Sequence, residues 1–355
     1  MIKVLTIIGA RPQIIKAATL SRIIKAQYSS RVNEVLVHTG QHYHHNMNDI
    51  FFKDMNILEP KYNLGLGGLS HSVMIGKMMV GLEDILIKEK PDWVLVYGDT
   101  NSTLAGALVA SKLHIKIAHI EAGLRSHNMN MQEEVNRILT DRISNLLFCP
   151  TALAVKNLDA EGFSNFPNAG IKNVGDIMYE GAMYYSKQSK RPLQPNNIDN
   201  YVLATIHRAE TTDNIENLRS VISALNTINE SIPVIVPIHP KTQSIIKNNN
   251  LGVSFRMINP VGYLEMIWLI QNCYLVVTDS GGLQKEAYFF EKHCLTLRNE
   301  TEWLELIESG NNVVVGYDTN KILSEFNTPK KFKYSGKLYG DGNTAELIIN
   351  ALMET

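Results

Sequence analysis

The first half of the chain alternates short apolar runs with longer segments whose hydrophobic residues recur at helical spacing. Runs that are apolar at consecutive positions are typical of strands buried on both faces of a parallel sheet. The pattern predicts strands over residues 4–8, 34–37, 93–97, 115–120 and 146–148. It predicts helices between them over residues 12–26, 72–88, 102–113 and 133–143.

The alternation begins again after a polar stretch, residues 186–197, which contains two prolines and is typical of a linker. Strands are predicted over residues 201–206, 234–237, 253–257, 274–278, 294–297 and 312–315, and helices over 215–228, 263–271 and 282–290. The predicted fold class is therefore α/β, with two Rossmann-like, doubly wound domains and an interdomain cleft. Such sheets bind ligands beyond the carboxyl ends of their strands.

Length and charge agree with this picture and exclude some partners. The 355 residues exceed the roughly 100–200 of one ordinary domain. Lysine and arginine number 34 and aspartate and glutamate 35, so the net charge of −1 gives no field that would attract nucleic acid or an anionic membrane. No uncharged apolar run reaches the roughly 18 residues that span a bilayer. We interpret the first apolar run as a buried strand and not as a signal peptide.

Cysteine usage indicates a reducing compartment. Cys149, Cys273 and Cys294 are odd in number, far apart, and set in or beside apolar runs. This pattern argues against a disulfide framework and against a zinc site. We expect three buried thiols in a cytosolic protein.

Motifs for common cofactors are absent from the sequence. Residues 65–68 do not form a dinucleotide-binding fingerprint, and no Walker A sequence occurs. His42, His44 and His45 cluster, but their spacing matches no metal site. We predict no metal and no bound cofactor.

The first predicted strand ends in a candidate anion site. Gly9, Ala10, Arg11 and Pro12 follow the strand, and Lys16 lies one turn into the next helix. Free N–H groups at a helix start, together with two cations, favour an anion. The alternative is a tight turn with two solvated cations.

Two carboxylates follow neighbouring strands. Asp99 comes after the third predicted strand and Glu121 after the fourth, although Asp99 could instead cap the following helix. Two carboxylates in one partly dry cleft push their pKa values apart, which suits acid–base work. Glu133 and Arg137 open the next helix, where spacing alone favours an i,i+4 ion pair.

In the second half, His207 and His239 also follow predicted strands. The sharpest motif there is Ser280-Gly281-Gly282, which enters a helix and would let backbone N–H groups approach a phosphate. Glu286 lies one turn further on, at a suitable distance for a ribose hydroxyl. A tight turn without a ligand is the alternative.

Six motifs in one order strongly resemble the UDP-N-acetylglucosamine 2-epimerase family, from residue 1 to about residue 317. Residues 339–342 are similar to the closing motif of that family. The six motifs are Gly9-Ala10-Arg11-Pro12 with Lys16, Gly98-Asp99-Thr100, His119-Ile120-Glu121-Ala122-Gly123-Leu124-Arg125, Glu133-Glu134-Val135-Asn136-Arg137, His207-Arg208, and Thr278-Asp279-Ser280-Gly281-Gly282-Leu283-Gln284-Lys285-Glu286.

The resemblance implies a GT-B fold with domains over residues 1–170 and 171–335 and a C-terminal helix, within 336–355, that crosses back to the first domain. It implies that UDP binds mainly to the second domain. The catalytic residues that it implies are Asp99, Glu121, Glu133 and His207. The substrate-binding residues that it implies are Arg11, Lys16, Arg137, His239, Ser280, Gly281, Gly282, Glu286 and Arg298.

Departures from the common family pattern narrow the expected substrate. Many members have T-E-R-P-E where this chain has residues 301–305, with Trp303, and many have Glu where Gln13 stands. The tryptophan form is more similar to the branch that acts on UDP-2,3-diacetamido-2,3-dideoxyglucuronate for bacterial surface polysaccharide such as O-antigen. The carboxylate of that sugar needs a cation or backbone N–H groups beside it, and Arg125 and Arg137 are the cations that could reach it. We also expect a cytoplasmic homodimer.

The family reaction removes the C2 proton while UDP leaves C1, and UDP then returns after a proton is delivered to the other face of the glycal intermediate. Stabilised diphosphate charge and acid–base groups are both required. Five alternatives stay open from the sequence. They are epimerisation of the diacetamidoglucuronate, epimerisation of UDP-N-acetylglucosamine, hydrolytic release of UDP, glycosyl transfer, and non-catalytic UDP-sugar binding.

Overall fold

The computed structural model describes residues 1–41, 59–166, 169–194, 199–328, 331–333 and 337–354. The three neighbouring histidines at 42, 44 and 45, and part of the predicted linker, lie outside the described residues. The chain divides into two compact units. The first comprises Met1–Met183 with Lys337–Thr355, and the second comprises Tyr184–Gly336.

The first unit is built on a parallel sheet whose order is β3-β2-β1-β4-β5-β6-β7. The order shows that the chain winds from the central strand to one edge and then returns to wind toward the other. Its strands are β1 (Ile2–Ile8), β2 (Val32–His38), β3 (Tyr62–Asn63), β4 (Trp93–Tyr97), β5 (Lys116–Ile120), β6 (Leu146–Cys149) and β7 (Gly170–Asn173).

Helices connect these strands and bury their apolar faces against the sheet. They are α1 (Arg11–Ile23), α2 (His71–Glu89), α3 (Asn101–Lys112), α4 (Gln132–Ile143), α5 (Ala152–Ala160) and α6 (Ile177–Ser186). One core cluster joins Leu5 and Val94 of the sheet to Met78, Leu82 and Leu86 of α2, all buried. A π-helical turn, Ile24–Tyr28, continues α1.

The second unit repeats the plan with the order β10-β9-β8-β11-β12-β13, which is that of a Rossmann sheet. Its strands are β8 (Val202–Thr205), β9 (Val234–Pro237), β10 (Arg256–Ile258), β11 (Leu275–Thr278), β12 (Cys294–Thr296) and β13 (Asn312–Val314). Its helices are α7 (Ala209–Thr212), α8 (Ile215–Asn229), α9 (Pro240–Asn248), α10 (Tyr263–Asn272), α11 (Gly281–Phe289), α12 (Leu304–Glu308) and α13 (Thr319–Phe326). Separate apolar clusters cover the two faces of this sheet.

The last helix, α14 (Thr344–Glu354), belongs to the first unit. Glu180 accepts a hydrogen bond from the backbone N–H of Ala345 at the start of α14, at 2.8 Å. Gly175 has φ +81°, and a Cβ there would lie 2.8 Å from the carbonyl oxygen of Tyr339. The segment that resembles the closing motif of the family therefore packs against the chain just before α6.

The unit boundary lies after Met183, and not at residue 170. Strand β7 begins at Gly170 and pairs in parallel with β6 from Leu146 to Cys149, so the sheet of the first unit includes it. Its sequence, Gly-Ile-Lys-Asn, has little of the β-branched and apolar character that predicts a strand.

Most of the predicted elements are confirmed, within a few residues at their ends. The α/β fold class with two doubly wound parallel sheets is confirmed as well. The sequence pattern did not predict β3, β7, α5, α6, α7, α9, α12 and α13. The strand predicted over residues 253–257 is observed at Arg256–Ile258, and the buried Phe255 lies in the loop before it. Among the described residues, no helix is both long and apolar enough to cross a membrane.

The three cysteines are free and buried, as predicted. Burial raises the pKa of Cys273 to about 12 and the pKa of Cys294 to about 12. Burial also raises the pKa of Cys149 well above its ordinary value. Because the thiolate is the reactive form, all three groups are poor nucleophiles at neutral pH.

We therefore expect these thiols to react with Ellman's reagent at least about 100-fold more slowly in the folded protein than after unfolding in guanidinium at pH 8. The absorbance change should correspond to three thiols only in the unfolded sample. Rapid labelling of all three in the native protein would contradict their burial.

Candidate active site

Asp99 lies in the turn between β4 and α3. Gly98 supplies the left-handed backbone of that turn, with φ +60°. Thr100 is the N-cap of α3, and its hydroxyl accepts from the backbone N–H of Thr103 at 3.4 Å. Asp99 is therefore not the cap, and its carboxylate instead contacts the guanidinium of Arg137. Its side chain is 30% exposed, which leaves it accessible from solvent.

Glu121 directly follows β5 in a left-handed conformation, with φ +73°. A non-glycine residue held in that region costs about 1–3 kcal/mol and is typical of functional sites. Its carboxylate is buried and forms an ion pair with the ammonium of Lys16. A Cβ on Gly98 would lie 3.2 Å from Glu121 Oε2 and 3.3 Å from Lys16 Nζ. The pair is thus beside the turn that carries Asp99.

Lys16 is not the solvated cation that one sequence interpretation allowed. Its side chain is 7% exposed and its charge is paired with Glu121. Arg11, the first residue of α1, is half-buried. The two carboxylates, Asp99 and Glu121, therefore each have their own cation at the carboxyl edge of the sheet.

Helix α4 brings further polar groups to the same edge. Arg137 Nη1 lies 3.1 Å from Glu134 Oε2, so the observed pair is i,i+3 with Glu134, where spacing had favoured i,i+4 with Glu133. Glu133 is half-buried in the first turn of α4. Asn136 donates to the carbonyl oxygen of Asp99 at 2.9 Å. Adjacent residues of α4 thus hold both the backbone and the side chain of Asp99.

A fully buried histidine joins these elements behind the carboxylates. His119 Nε2 lies 2.7 Å from the carbonyl oxygen of Gly98, and His119 Nδ1 lies 2.7 Å from Asp141 Oδ1. Asp141 also accepts from the N–H of Gly123 at 3.2 Å. Burial raises the pKa of Asp141, but hydrogen bonds and charge from His119 and Arg125 outweigh burial and leave the pKa below its ordinary value.

Arg125 belongs to this buried network and is therefore not placed to pair with a sugar carboxylate, as its position after Glu121 had suggested. Its guanidinium donates to both oxygens of Glu161 at 2.5 and 2.9 Å and to Asp141 at 2.7 Å. Its side chain is 1% exposed. No donor is left facing solvent because these acidic partners and the carbonyl oxygen of Leu124 surround it.

In the second unit, a buried aspartate after β11 holds the loop after β8. Asp279 Oδ2 accepts from the backbone N–H groups of His207 and Arg208 at 2.8 and 2.9 Å. Asp279 Oδ1 lies 3.2 Å from His207 Nδ1. This carboxylate holds Nδ1 of His207. The His207 side chain is 49% exposed, so the rest of its imidazole ring is directed toward solvent.

Ser280 is the N-cap of α11, and Gly281 and Gly282 form its first turn. Arg298 lies near this helix start, with Nη1 3.0 Å from Glu302 Oε2. A Cβ on Gly281 would lie 2.6 Å from Glu302 Oε1. Glycine at this position leaves room for the Glu302 carboxylate, and the helix end carries backbone N–H groups and the buried Arg298, which suit an anion.

The start of α11 is held from behind by Gln284. Its Oε1 accepts from Thr301 Oγ1 at 2.8 Å and from Asn312 Nδ2 at 2.9 Å. Glu286 is buried one turn further along α11. His239 caps α9, where Nδ1 accepts from the N–H of Lys241 at 3.2 Å.

A cavity of about 390 Å³ opens at the carboxyl ends of β12 and β13. The residues that line it are Arg298, Asn299, Val314, Val315, Gly316, Tyr317, Asp318 and Lys321. Arg298 thus faces both this cavity and the start of α11. Among the described residues, no cluster of three or more histidine, cysteine or acidic side chains is placed to hold a metal ion.

Four residues with clear roles in the site were not on the list predicted from sequence: His119, Glu134, Asp141 and Asp279. A signal existed for His119 and Asp279, since each lies at the carboxyl end of a predicted strand. Asp141 and Glu134 lie within a helix, where a charged residue is usually solvated. Only the packing of α4 against the sheet shows that both are buried.

The family model for UDP-N-acetylglucosamine 2-epimerase matches residues 25–353. The chain belongs to the UDP-N-acetylglucosamine 2-epimerase family. A Pseudomonas aeruginosa protein named UDP-2,3-diacetamido-2,3-dideoxy-D-glucuronate 2-epimerase is 50% identical over 353 residues, which are 99% of each chain. The UDP-N-acetylglucosamine 2-epimerase of Methanocaldococcus jannaschii is 42% identical over 99% of this chain and 98% of that relative.

Solved structures of the epimerase family share the fold. The Methanocaldococcus jannaschii enzyme in complex with UDP-GlcNAc and UDP matches with a TM-score of 0.91 and 40% identity, over 99% of this chain and 100% of that chain. The Staphylococcus aureus MnaA–UDP structure matches with a TM-score of 0.88 and 29% identity, over 100% of this chain and 96% of that chain. The fold of this epimerase-family chain is therefore GT-B-like.

Gly9, in the first family motif, is required for close packing and not for a special turn. A Cβ at this position would lie 2.1 Å from both Ser102 Oγ and Thr39 Oγ1. Those hydroxyls are 2.8 Å apart and are hydrogen-bonded to each other. Neither can withdraw without breaking the contact between β2 and the first turn of α3.

We expect Gly9→Ala to destabilise the protein by about 1–3 kcal/mol, as overpacking of a dense site does. Urea unfolding should show the loss as a lower midpoint. The matched control is Gly252→Ala, since a Cβ at Gly252 has no neighbour within 4 Å. Equal midpoints for both variants would show that the site after β1 is looser than the structure describes.

Proposed function

We propose that this protein is a non-hydrolysing UDP-sugar 2-epimerase whose substrate is UDP-2,3-diacetamido-2,3-dideoxyglucuronate. The observation that carries the proposal is the pair of cation-held carboxylates, Asp99 and Glu121, at the carboxyl ends of adjacent strands. Family membership gives the reaction class. The 50% identical relative named for this sugar gives the substrate.

The reaction needs a group that takes the C2 proton and a group that supplies one to the other face. C2 carries no neighbouring carbonyl, so departure of UDP from C1 drives the elimination. Asp99, Glu121 and Glu133 are the candidate proton-transfer groups. Positioned carboxylates typically contribute about 10²–10⁴ to such a rate.

The second unit offers groups that suit UDP. Backbone N–H groups at Gly281 and Gly282 and the hydroxyl of Ser280 suit a diphosphate. His207 is held by Asp279 with its ring partly exposed, which suits a catalytic or leaving-group contact. Glu286 would hold the ribose, and further substrate contacts would come from Arg11, Lys16, His239 and Arg298.

The segment after β12 also supports the diacetamidoglucuronate as the substrate. Trp303 is buried, and its ring lies 4.1 Å from the ammonium of Lys285 on α11. A large aromatic ring behind α11 would shape the wall beside the start of that helix. Epimerisation of UDP-N-acetylglucosamine is the second candidate, since the 42% identical relative carries that name.

We also propose that the protein is a cytoplasmic homodimer that serves bacterial surface polysaccharide synthesis. Exposed apolar side chains on α2 support the dimer. They recur at seven-residue spacing and are Val73, which is 48% exposed, Val80, 67%, and Ile87, 54%. Exposed apolar stripes of this kind mark interaction sites. A single-chain mass in light scattering would contradict the dimer.

Incubation with each UDP-sugar in deuterated water, followed by NMR, tests both the reaction and the substrate. We expect deuterium at C2 of the epimer, only traces of free UDP, and a higher kcat/KM for the diacetamidoglucuronate. A site that pairs a carboxylate strongly disfavours an analogue without one. Stoichiometric UDP release would indicate a hydrolase, and equal or better turnover of UDP-N-acetylglucosamine would overturn the substrate assignment.

Glu121→Gln keeps the size of the side chain and removes its proton-transfer group. We expect kcat to fall about 10²–10⁴-fold while UDP affinity, measured by calorimetry, changes little. Ser280→Ala is the matched comparison, since it removes a diphosphate donor and should weaken UDP binding instead. Wild-type turnover by Glu121→Gln would remove Glu121 from the catalytic residues.

A further inference from the structure

We propose that Arg137 and Glu134 are positioning residues, which hold Asp99 ionised and aimed as the proton acceptor. This inference rests on the proposed function only for the role of Asp99. It reassigns Arg137, which the sequence resemblance places among the substrate-binding residues.

The contacts form a continuous chain from a loop, through α4, to Asp99. Glu134 is buried and accepts from the backbone N–H of Ser126 at 2.9 Å and of His127 at 2.8 Å. Its Oε2 also lies 3.1 Å from Arg137 Nη1. Arg137 Nη2 contacts Asp99 Oδ2. One guanidinium thus spans two carboxylates, and the inner carboxylate is itself fixed by backbone groups.

The exposed fractions of the three side chains show that Arg137 lies behind Asp99 and does not face solvent. Its side chain is 2% exposed and Glu134 is 1% exposed, whereas Asp99 is 30% exposed. The solvent-facing member of the chain is therefore Asp99, and the cation lies behind it. Arg137 acts on a substrate through Asp99, because both of its terminal nitrogens already face carboxylates.

The charge on Arg137 is permanent, and this matters for a proton acceptor. Arginine cannot be deprotonated in proteins, so its attraction for the ionised form of the Asp99 carboxyl does not change with pH. Asp99 therefore starts the reaction as a carboxylate.

Other charged groups lie around Asp99 and stay constant in the test. The Lys16–Glu121 pair lies beside Gly98, and His119 faces the Gly98 carbonyl from β5. Glu133 lies on α4, and His71 Nδ1 of α2 lies 3.0 Å from Asn101 Nδ2, two residues beyond Asp99. A shift seen on changing Arg137 alone is then attributable to the loss of its charge.

The test measures the titration of Asp99 directly, by NMR of the full-length protein with ¹³Cγ-labelled aspartate, assigned with Asp99→Asn. In Arg137→Gln we expect the midpoint to rise by about one pH unit or more, because an adjacent arginine lowers a carboxyl pKa by about 1–3 units. The acidic limb of kcat should move the same way. Arg137→Lys should keep the midpoint nearer to wild type, since it keeps the charge.

The Glu134→Gln variant tests the orientation of Asp99 separately from the charge that Arg137 places beside it. Its Oε1 can still accept from Ser126 and His127, but the negative anchor for Arg137 is lost. We expect kcat to fall roughly 10- to 100-fold, as misplacement by about 1 Å does, with no rise in the Asp99 midpoint. Arg142→Gln is the matched control, because Arg142 is on the same helix and donates to a backbone carbonyl, that of Glu161, at 3.1 Å.

An unchanged Asp99 midpoint in folded Arg137→Gln would overturn the proposal, and so would wild-type kcat in Glu134→Gln. If Arg137→Gln does not fold, Arg137→Lys and Glu134→Gln still decide between positioning and substrate binding through kcat against KM. A rise in KM with unchanged kcat would return Arg137 to the substrate-binding residues. Absence of epimerisation in wild type would contradict the proposed function alone, since the NMR midpoint does not depend on turnover.

Discussion

The pairing of two partly desolvated carboxylates with two cations is the constraint on which the first unit depends. Burying a carboxylate alone costs several kcal/mol, so Glu121 and Asp99 persist at the sheet edge only with Lys16 and Arg137 beside them. Glu121 also holds a left-handed backbone that most residues avoid. Contacts with surrounding residues must therefore offset the free-energy cost of this backbone conformation and of the two carboxylates.

Buried polar groups behind the two ion pairs provide these contacts. Asp141 accepts from His119, Gly123 and Arg125, and so ties α4 to β5 and to the turn after Glu121. His119 extends the connection to Gly98, beside Asp99. The three elements that carry the candidate proton-transfer groups are thus joined by one hydrogen-bonded network. Such networks specify a unique arrangement when every member is satisfied.

The second unit uses the same topology for a different purpose. Its strand ends present a helix N-terminus, Ser280 and glycines, with Asp279 and Gln284 bracing the loops from behind. A parallel sheet of this order always places its loops at the carboxyl edge. One architecture therefore carries the proposed proton-transfer groups in one unit and the proposed anion site in the other.

The sequence by itself determined the two doubly wound sheets, since apolar runs and helical spacing are local signals. It also placed Asp99, Glu121 and Ser280 at strand ends, and its motifs named the family. Only the tertiary structure decided the partners. Lys16 and Glu121 form an ion pair although they are distant in the chain. Arg125, whose motif suggested a place near the sugar, forms its ion pairs with Glu161 and Asp141 instead. Which charges meet depends on how helices pack on the sheet, and no local pattern encodes that.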